Sequence, residues 1–450
     1  MINTLVTIGP SSLNDVDIKY FAERTNLFRL NGSHSDIEWH KKAVLEIRRF
    51  SPNAFILMDI PGVKPRTNNS EVIQIEKGQE ISFGLEAGME YDLHINLTKN
   101  IPKIEMAPPT FSLNDGQFLF DTTKVGNGFI VGRSRDSFKL LPKKGINLPG
   151  SVYDEDQQFE IYKDFIKKIG GLEINGLGLS FVQTGELVTK LKEIVPGLVL
   201  VSKIENSEGL RNCIEISNKS DAIMIDRGDL VAEIGFKNLF RGIETISLAT
   251  KSSGRPLIMA TENLESMIDR ELPSKSEVMS LAHSASLGVD CIMLSEETAL
   301  SSNAKAIVSW LTEFLDQPFD LKISKLLNPI VGKYSQIWDT LPVLEGLPVV
   351  IMSKSGYAVF DYFSRIPDGS ITLVTPNKKI VMISKLFRND IHIISTEVKD
   401  SVPIETIIDI VSLNKATLFK NSEKIVAFYV SKYVNSPRAN CLTILSLDDF

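Results

Sequence analysis

Residues 198–229 read LVLVSKIENSEGLRNCIEISNKSDAIMIDRGD. Two short apolar runs, LVLVSKIE (198–205) and AIMIDRGD (222–229), each stop abruptly in charged residues. Apolar residues follow one another in both without alternating, which describes strands buried on two faces, the condition of a parallel sheet. The same run recurs outward along the chain. TLVTIG (4–9), LFRLNGS (27–33), AFILMDI (54–60) and GLGLSF (176–181) precede it, and PLIMAT (256–261) and CIMLSEET (291–298) follow. Helical patterns separate several of them, among them DQQFEIYKDFIKKI, TGELVTKLKEIV, LFRGIETISLATKSS and SEVMSLAHSASLG. Eight such units predict an α/β fold, a closed (β/α)8 TIM barrel with its chemistry at the C-terminal ends of the strands. An open doubly wound sheet is the alternative that the pattern leaves.

The spacing breaks once, between Ile60 and Gly176. Within that gap VIQIEKGQEISFG, LHINLTK, FSLNDGQFLFDTTK and NGFIVGRS alternate apolar and polar residues between Gly, Asn and Asp. That pattern predicts an antiparallel β module, an inserted β-barrel lid over the barrel mouth. Beyond about residue 325 an α/β rhythm restarts with PVVIMS, SITLVT, IHIIST, KIVAFYVS and CLTILSL, closing on an antiparallel hairpin. The expected division is therefore 1–67 and 144–322 for the barrel, 68–143 for the lid and 323–450 for a C-terminal α/β domain.

Charge and cysteine content exclude several classes. The 450 residues carry 49 Lys and Arg against 56 Asp and Glu, a net −7, so no basic face for nucleic acid is indicated. Cys213, Cys291 and Cys441 stand far apart with no CxxC, which points away from a disulfide framework or structural zinc. MINTLVTIGPSS lacks the basic and long apolar regions of a secretion signal, and no run reaches about 18 apolar residues, so a cytoplasmic protein without a membrane span is expected.

Polar residues at the strand ends form one set that barrel closure would bring to a common mouth. They are Arg29, Asn31 and Ser33; Asp59, Lys64 and Arg66; Lys203 and Glu205; Arg227 and Asp229; Thr261; Ser295 and Glu297. Glu205 and Asp229, on adjacent strands, could hold one Mg²⁺, although solvated carboxylates at strand ends would look the same. Lys203 lies two residues from Glu205 and so on the same side of its strand, placed to stabilise charge on a transferring group or to pair with the acids. Arg29 and Arg66 offer forked donors for phosphate. Lys144 and Asn147 mark the return from the insert. His34 is the one histidine in the set. There is no Ser-His-Asp order, HExxH or Walker loop. One divalent cation among several cationic groups fits phosphoryl transfer between small anions.

TIGPSS (7–12), RLNGSH (29–34), DIPGVKPRT (59–67), LNDG (113–116), KKGINLPG (143–150), SFV (180–182), SKIENSEGL (202–210), IMIDRGDL (223–230), MATENLESMI (259–268) and IMLSEETA (292–299) together resemble the pyruvate kinase family, over nearly the whole chain. The resemblance implies transfer of phosphate from phosphoenolpyruvate to ADP, with Mg²⁺ or Mn²⁺ on Glu205 and Asp229. It gives Lys203 the phosphoryl in flight, Arg29 the phosphoryl group, Arg66 and Lys144 the nucleotide phosphates, and Asn31 and His34 the nucleotide side. Asn147 and Gly228 join the binding set. Thr261 would lie beside the enolate methylene and Ser295 on its proton route. Lys64 resembles the K⁺-independent members, its ammonium replacing the monovalent cation. Ser353, Lys354, Ser355 and Gly356 resemble the phosphate turn of the family's effector site, though KYVNSPRANC (432–441) stands where that site's completing loop belongs, and an ordinary helix cap reads the same. A homo-oligomer, a tetramer in the family, is implied.

Four positions depart from the resemblance. Asp226 stands for Ala, Glu262 for Gln, Glu296 for Gly and Lys275 for Arg. The added acids leave two rivals: a lyase or decarboxylase acting on enolpyruvate, and a weakly catalytic homologue that binds phosphoenolpyruvate or nucleotide. Lys275 leaves tetramer against dimer open.

Overall fold

The computed structural model describes residues 2–85, 91, 93–104, 106–317, 346–365, 369–396, 403–419, 422–430 and 441–449. Each of the eight apolar runs supplies one strand: Asn3–Thr7, Leu27–Asn31, Phe55–Ile60, Gly176–Leu179, Val199–Ile204, Ala222–Asp226, Leu257–Ala260 and Cys291–Leu294. They pair in parallel, in chain order, and the last closes on the first with Asn3 opposite Cys291. The runs do not alternate because both sides of each strand meet apolar surroundings. Leu5, Leu57, Val201 and Met224 fill the interior, while Val6, Met58, Leu200 and Ile223 pack with helix residues such as Phe21, Ile47 and Leu187. The strands end among the polar residues of the runs: Arg29, Asp59, Lys203 and Asp226 lie in the last residues of their strands, and Glu205, Thr261 and Ser295 each follow a strand directly.

The insert leaves after the third barrel strand through a two-stranded neck. Thr67 N donates to Lys144 O (2.8 Å) and Lys143 N to Thr67 O (3.2 Å), and Arg66 bridges to Gly145. Its main sheet has six strands in the order Ile146–Asn147, Thr110–Leu113, Phe118–Gly126, Phe129–Ser134, Glu80–Gly84 and Leu93–Asn96. The alternating residues meet in one core, where Phe111 and Phe120 stack at 5.1 Å and Phe83 meets both edge-on. Gly132 is required there, since a Cβ would come within 2.3 Å of the Phe111 ring.

Two features of the insert correct the expectation. Glu80–Gly84 and Leu93–Asn96 pair in parallel, Ile81 opposite Leu93, because alternation specifies a buried face but not a strand direction. Among the described residues the sheet does not close into a barrel. Its Ile146–Asn147 edge is the way back to the large barrel, and the ribbon of Phe138–Leu140 with Ile73–Ile75 covers the rest of the core.

The C-terminal sheet runs His392–Ile394, Ile371–Val374, Val349–Met352, Lys424–Tyr429, Cys441–Ser446, four parallel strands and the expected antiparallel closure. It docks on the N-terminal end of the barrel: Asn3 Nδ2 donates to Lys385 O and Leu386 O (3.2 Å each), and Lys379 Nζ lies 2.9 Å from Asp221. The boundary expected at 323 and nearly all of KYVNSPRANC lie outside the described residues. Among the described residues no helix is long and apolar enough to cross a membrane.

Candidate active site

Strand geometry turns Arg29 and Asp59 into the mouth from adjacent strands. Arg29 grips Asp59 Oδ2 through Nη2 (2.7 Å) and Nε (3.1 Å), and its Nη1 reaches Thr7 Oγ1 (3.4 Å). Asp59 is 2% exposed, and Gly178 makes room for it, since a Cβ there would lie 2.1 Å from Asp59 Oδ1. Burial opposes the Asp59 charge, but Arg29 and Lys203 outweigh it and hold the carboxyl below the usual range.

Lys203 and Glu205 bracket the end of the fifth strand. The buried Lys203 ammonium lies 2.6 Å from Glu205 Oε1 and 3.5 Å from both Asp59 Oδ2 and Asp226 Oδ2. Burial disfavours that charge; Glu205, Asp59 and Asp226 together raise the lysine pKa regardless. Phe181, left-handed at φ 61°, donates its N–H to Glu205 Oε2 at 2.7 Å. Even so, burial pushes Glu205 up to about 8, because Asp226 and Asp229 repel it against the pull of Lys203. Burial likewise raises Asp226.

Asp229 sits in the first turn of the helix Arg227–Ile234 and accepts Asn147 Nδ2 at 3.2 Å and the Lys64 ammonium. Burial works against its charge, and Lys64 lowers its pKa nonetheless. Lys64 also reaches Asp115 Oδ1 of the insert (2.6 Å). One oxygen each of Glu205, Asp226 and Asp229 lies within 4.8 Å of the other two. Hard carboxylate donors crowded so that one carboxyl rises to about 8 fit a small divalent cation such as Mg²⁺ or Mn²⁺.

Thr261 and Glu262 follow the seventh strand, both left-handed at φ 59° and 52°. For a β-branched residue that costs about 1–3 kcal/mol and needs over-determined surroundings. They are present: Thr261 Oγ1 accepts from Arg227 N (3.1 Å) and Gly228 N (3.2 Å) and shares its one proton between Ala260 O (2.8 Å) and Asp226 Oδ1 (3.1 Å), while Arg227 Nε donates to Thr261 O (3.1 Å). Ser295 N donates to Glu297 Oε2 (2.6 Å), and the enclosed Ser295 hydroxyl makes no hydrogen bond of its own. Glu296 points to solvent.

The other expected residues line the rim or lie elsewhere. Asn31 Oδ1 accepts from Ser33 N (3.1 Å). Exposed Arg66 donates to Lys143 O (3.2 Å), and Lys144 contributes its backbone to the neck. Partial burial lowers the His34 pKa, with Arg66 and Arg29 adding to it. The turn 353–356 is not brought to the mouth. It stands on the C-terminal sheet, where Ser355 lines a cavity of about 240 Å³ with Lys192, Arg255 and Lys379. Sequence reasoning missed two residues: Asp115 lay inside the quoted LNDG motif, and the buried Glu233 stands one helical turn after Asp229.

A barrel whose mouth crowds carboxylates round a buried lysine, with an arginine beside them, has the build of an enzyme site whose donors suit a divalent metal. The sequence model of the pyruvate kinase barrel domain matches residues 2–306. A cytosolic isozyme of pyruvate kinase from Nicotiana tabacum is 30% identical over 311 residues, 65% of this chain and 61% of that enzyme. The pyruvate kinase of Dictyostelium discoideum is 27% identical over 410 residues, 86% of this chain and 79% of its own. The crystal structure of a pyruvate kinase from Cryptosporidium parvum superposes with a TM-score of 0.81 at 24% identity, covering 99% of this chain and 96% of that one. The chain belongs to the pyruvate kinase family, a family of phosphotransferases.

Proposed function

We propose that the mouth transfers the phosphoryl group of phosphoenolpyruvate to ADP, giving pyruvate and ATP. The observation that carries this is the Lys203 ammonium, buried at the centre of the carboxylates, with the Arg29 guanidinium on the same Asp59 oxygen. Glu205 and Asp229 would hold Mg²⁺ or Mn²⁺, which supplies Lewis-acid stabilisation of phosphoryl and enolate oxygens. Arg29 binds the phosphoryl oxygens, and Lys203 offsets the charge that spreads over them in transfer. Arg66, Lys144, Asn31 and His34 face the nucleotide, while Asn147 and Gly228 support Asp229. Thr261 stands beside the enolate methylene, and the unpartnered Ser295 hydroxyl lies on its proton route.

In this reading residues 68–143 are a lid between barrel parts 1–67 and 144–322, with 323–450 as a C-terminal domain. Lys64 takes the place of a required K⁺, and Ser353–Gly356 holds the phosphate of an effector. The protein works in the cytoplasm as a homo-oligomer. Pyruvate formation with Mg²⁺ and ADP, with and without K⁺, tests the reaction and Lys64 together. Turnover that needs ADP and is unchanged by K⁺ is expected. Turnover without ADP would point to a lyase instead.

A further inference from the structure

The mouth holds more carboxylates than its own lysines and arginine balance. Arg29, Lys64 and Lys203 face Asp59, Glu205, Asp226 and Asp229, with the buried Glu233 one helical turn beyond Asp229 and Asp115 reaching in from the insert. Asp226 is the unusual member. It ends the sixth strand at the N-cap of the helix Arg227–Ile234, yet makes no cap hydrogen bond. Its Oδ1 instead lies 3.1 Å from Thr261 Oγ1, whose one proton it shares with Ala260 O (2.8 Å), and its Oδ2 lies 3.5 Å from Lys203. Thr261 Oγ1 in turn accepts the first N–H groups of that helix, from Arg227 and Gly228. A Cβ on Gly228 would stand 3.8 Å from Asp226 Oδ1 and 3.9 Å from Thr261 Oγ1, so both oxygens overhang the first turn. Helix N-terminal N–H groups otherwise serve to bind an anion from outside.

We propose that Asp226 is a third carboxylate of the divalent-metal centre, one that tightens the cation in the substrate-free protein and competes with an incoming acid for Thr261 and the helix N-terminus. The proposal rests on the reading that Glu205 and Asp229 hold that cation. An oxygen of Asp226 already lies within 4.8 Å of oxygens of both, a span that small side-chain rotations close to the roughly 3 Å between neighbouring Mg²⁺ ligands. A third negative ligand strengthens metal binding and leaves the loaded mouth one unit less positive towards an anionic substrate.

Mn²⁺ binding to the substrate-free protein, measured by calorimetry and electron paramagnetic resonance, tests this in the parent, D226N, D226S and E205Q. Asn keeps an acceptor for Thr261 and removes only the charge; Ser removes the charge with a different shape. Both variants should bind Mn²⁺ about tenfold or more weakly, and phosphoenolpyruvate should bind the Mn²⁺-saturated variants several-fold more tightly. Mn²⁺ affinity within about twofold of the parent in D226N and D226S, with binding lost in E205Q, overturns the role of Asp226 alone. No Mn²⁺ binding by the parent overturns the metal reading with it. Unfolding in EDTA identifies any variant that fails to fold, and the other then decides.

Discussion

Acid–lysine pairs largely shielded from water occur at both ends of the barrel, and the two ends treat them differently. At the base, Asp290 takes Lys251 on both oxygens (2.8 and 2.9 Å) and Leu257 N on one (2.8 Å). Asp221 likewise takes Lys192 (2.9 Å), Lys379 (2.9 Å) and Leu200 N (2.9 Å). Every one of those carboxylate oxygens is matched. At the mouth, Asp59 Oδ1 and both oxygens of Glu233 are buried without a hydrogen bond, and Glu205 Oε1 has only the Lys203 ammonium at 2.6 Å, which Asp59 and Asp226 share. The same chemistry serves cohesion where it is satisfied and is left open to a ligand where it is not.

The sharpest break in that comparison comes from exchanging lysines. Lys203→Ala should lower kcat for ADP-dependent pyruvate formation by about 10²–10³ or more, the scale of losing a preorganised charge donor. A kcat within a few-fold of the parent would remove Lys203 from the chemistry. Lys251→Ala at the base should leave kcat unchanged and instead cost about 3 kcal/mol of stability in denaturant unfolding, since Asp290 is stranded without its partner. A smaller loss would mean that water replaces the lysine.

A finer contrast lies in pH. Burial raises Glu233 to about 8, with Asp229 adding to it and Lys64 opposing. Between pH about 4.5 and about 8 the folded protein keeps a proton there that the unfolded chain has released, so stability falls as pH rises through the window and levels off above it. Glu233→Gln should therefore raise the melting temperature at pH 8.5 more than at pH 5.5, by a few degrees. An equal shift at both would show that Glu233 already has a partner for its charge.

The barrel was legible because both strand faces meet apolar surroundings, which leaves an unbroken run in the sequence. The residues that end those runs carried most of the site for the same reason: Lys203, Glu205 and Thr261 stand where Ile204 and Ala260 close their strands. The insert was legible only as β structure. The parallel pairing of Ile81 with Leu93 leaves no trace in an alternation that either direction would satisfy. Asp115 escaped because its partner Lys64 is far away in sequence and only the closed neck brings the two together. Of the departures from the resemblance, Glu296 finds its place in solvent, at the first position of the short helix Glu296–Ala299.

The neck changes what the insert costs the barrel. With Thr67 and Lys144 joined by a 2.8 Å hydrogen bond, the barrel meets everything between them as one closed turn. Loop-closure entropy grows only as the logarithm of length, about 0.6 kcal/mol for each doubling. The excursion can therefore lengthen, shorten or change its sheet without disturbing the third and fourth strands, provided its two ends still meet. Gene rearrangement would find here a socket rather than a seam.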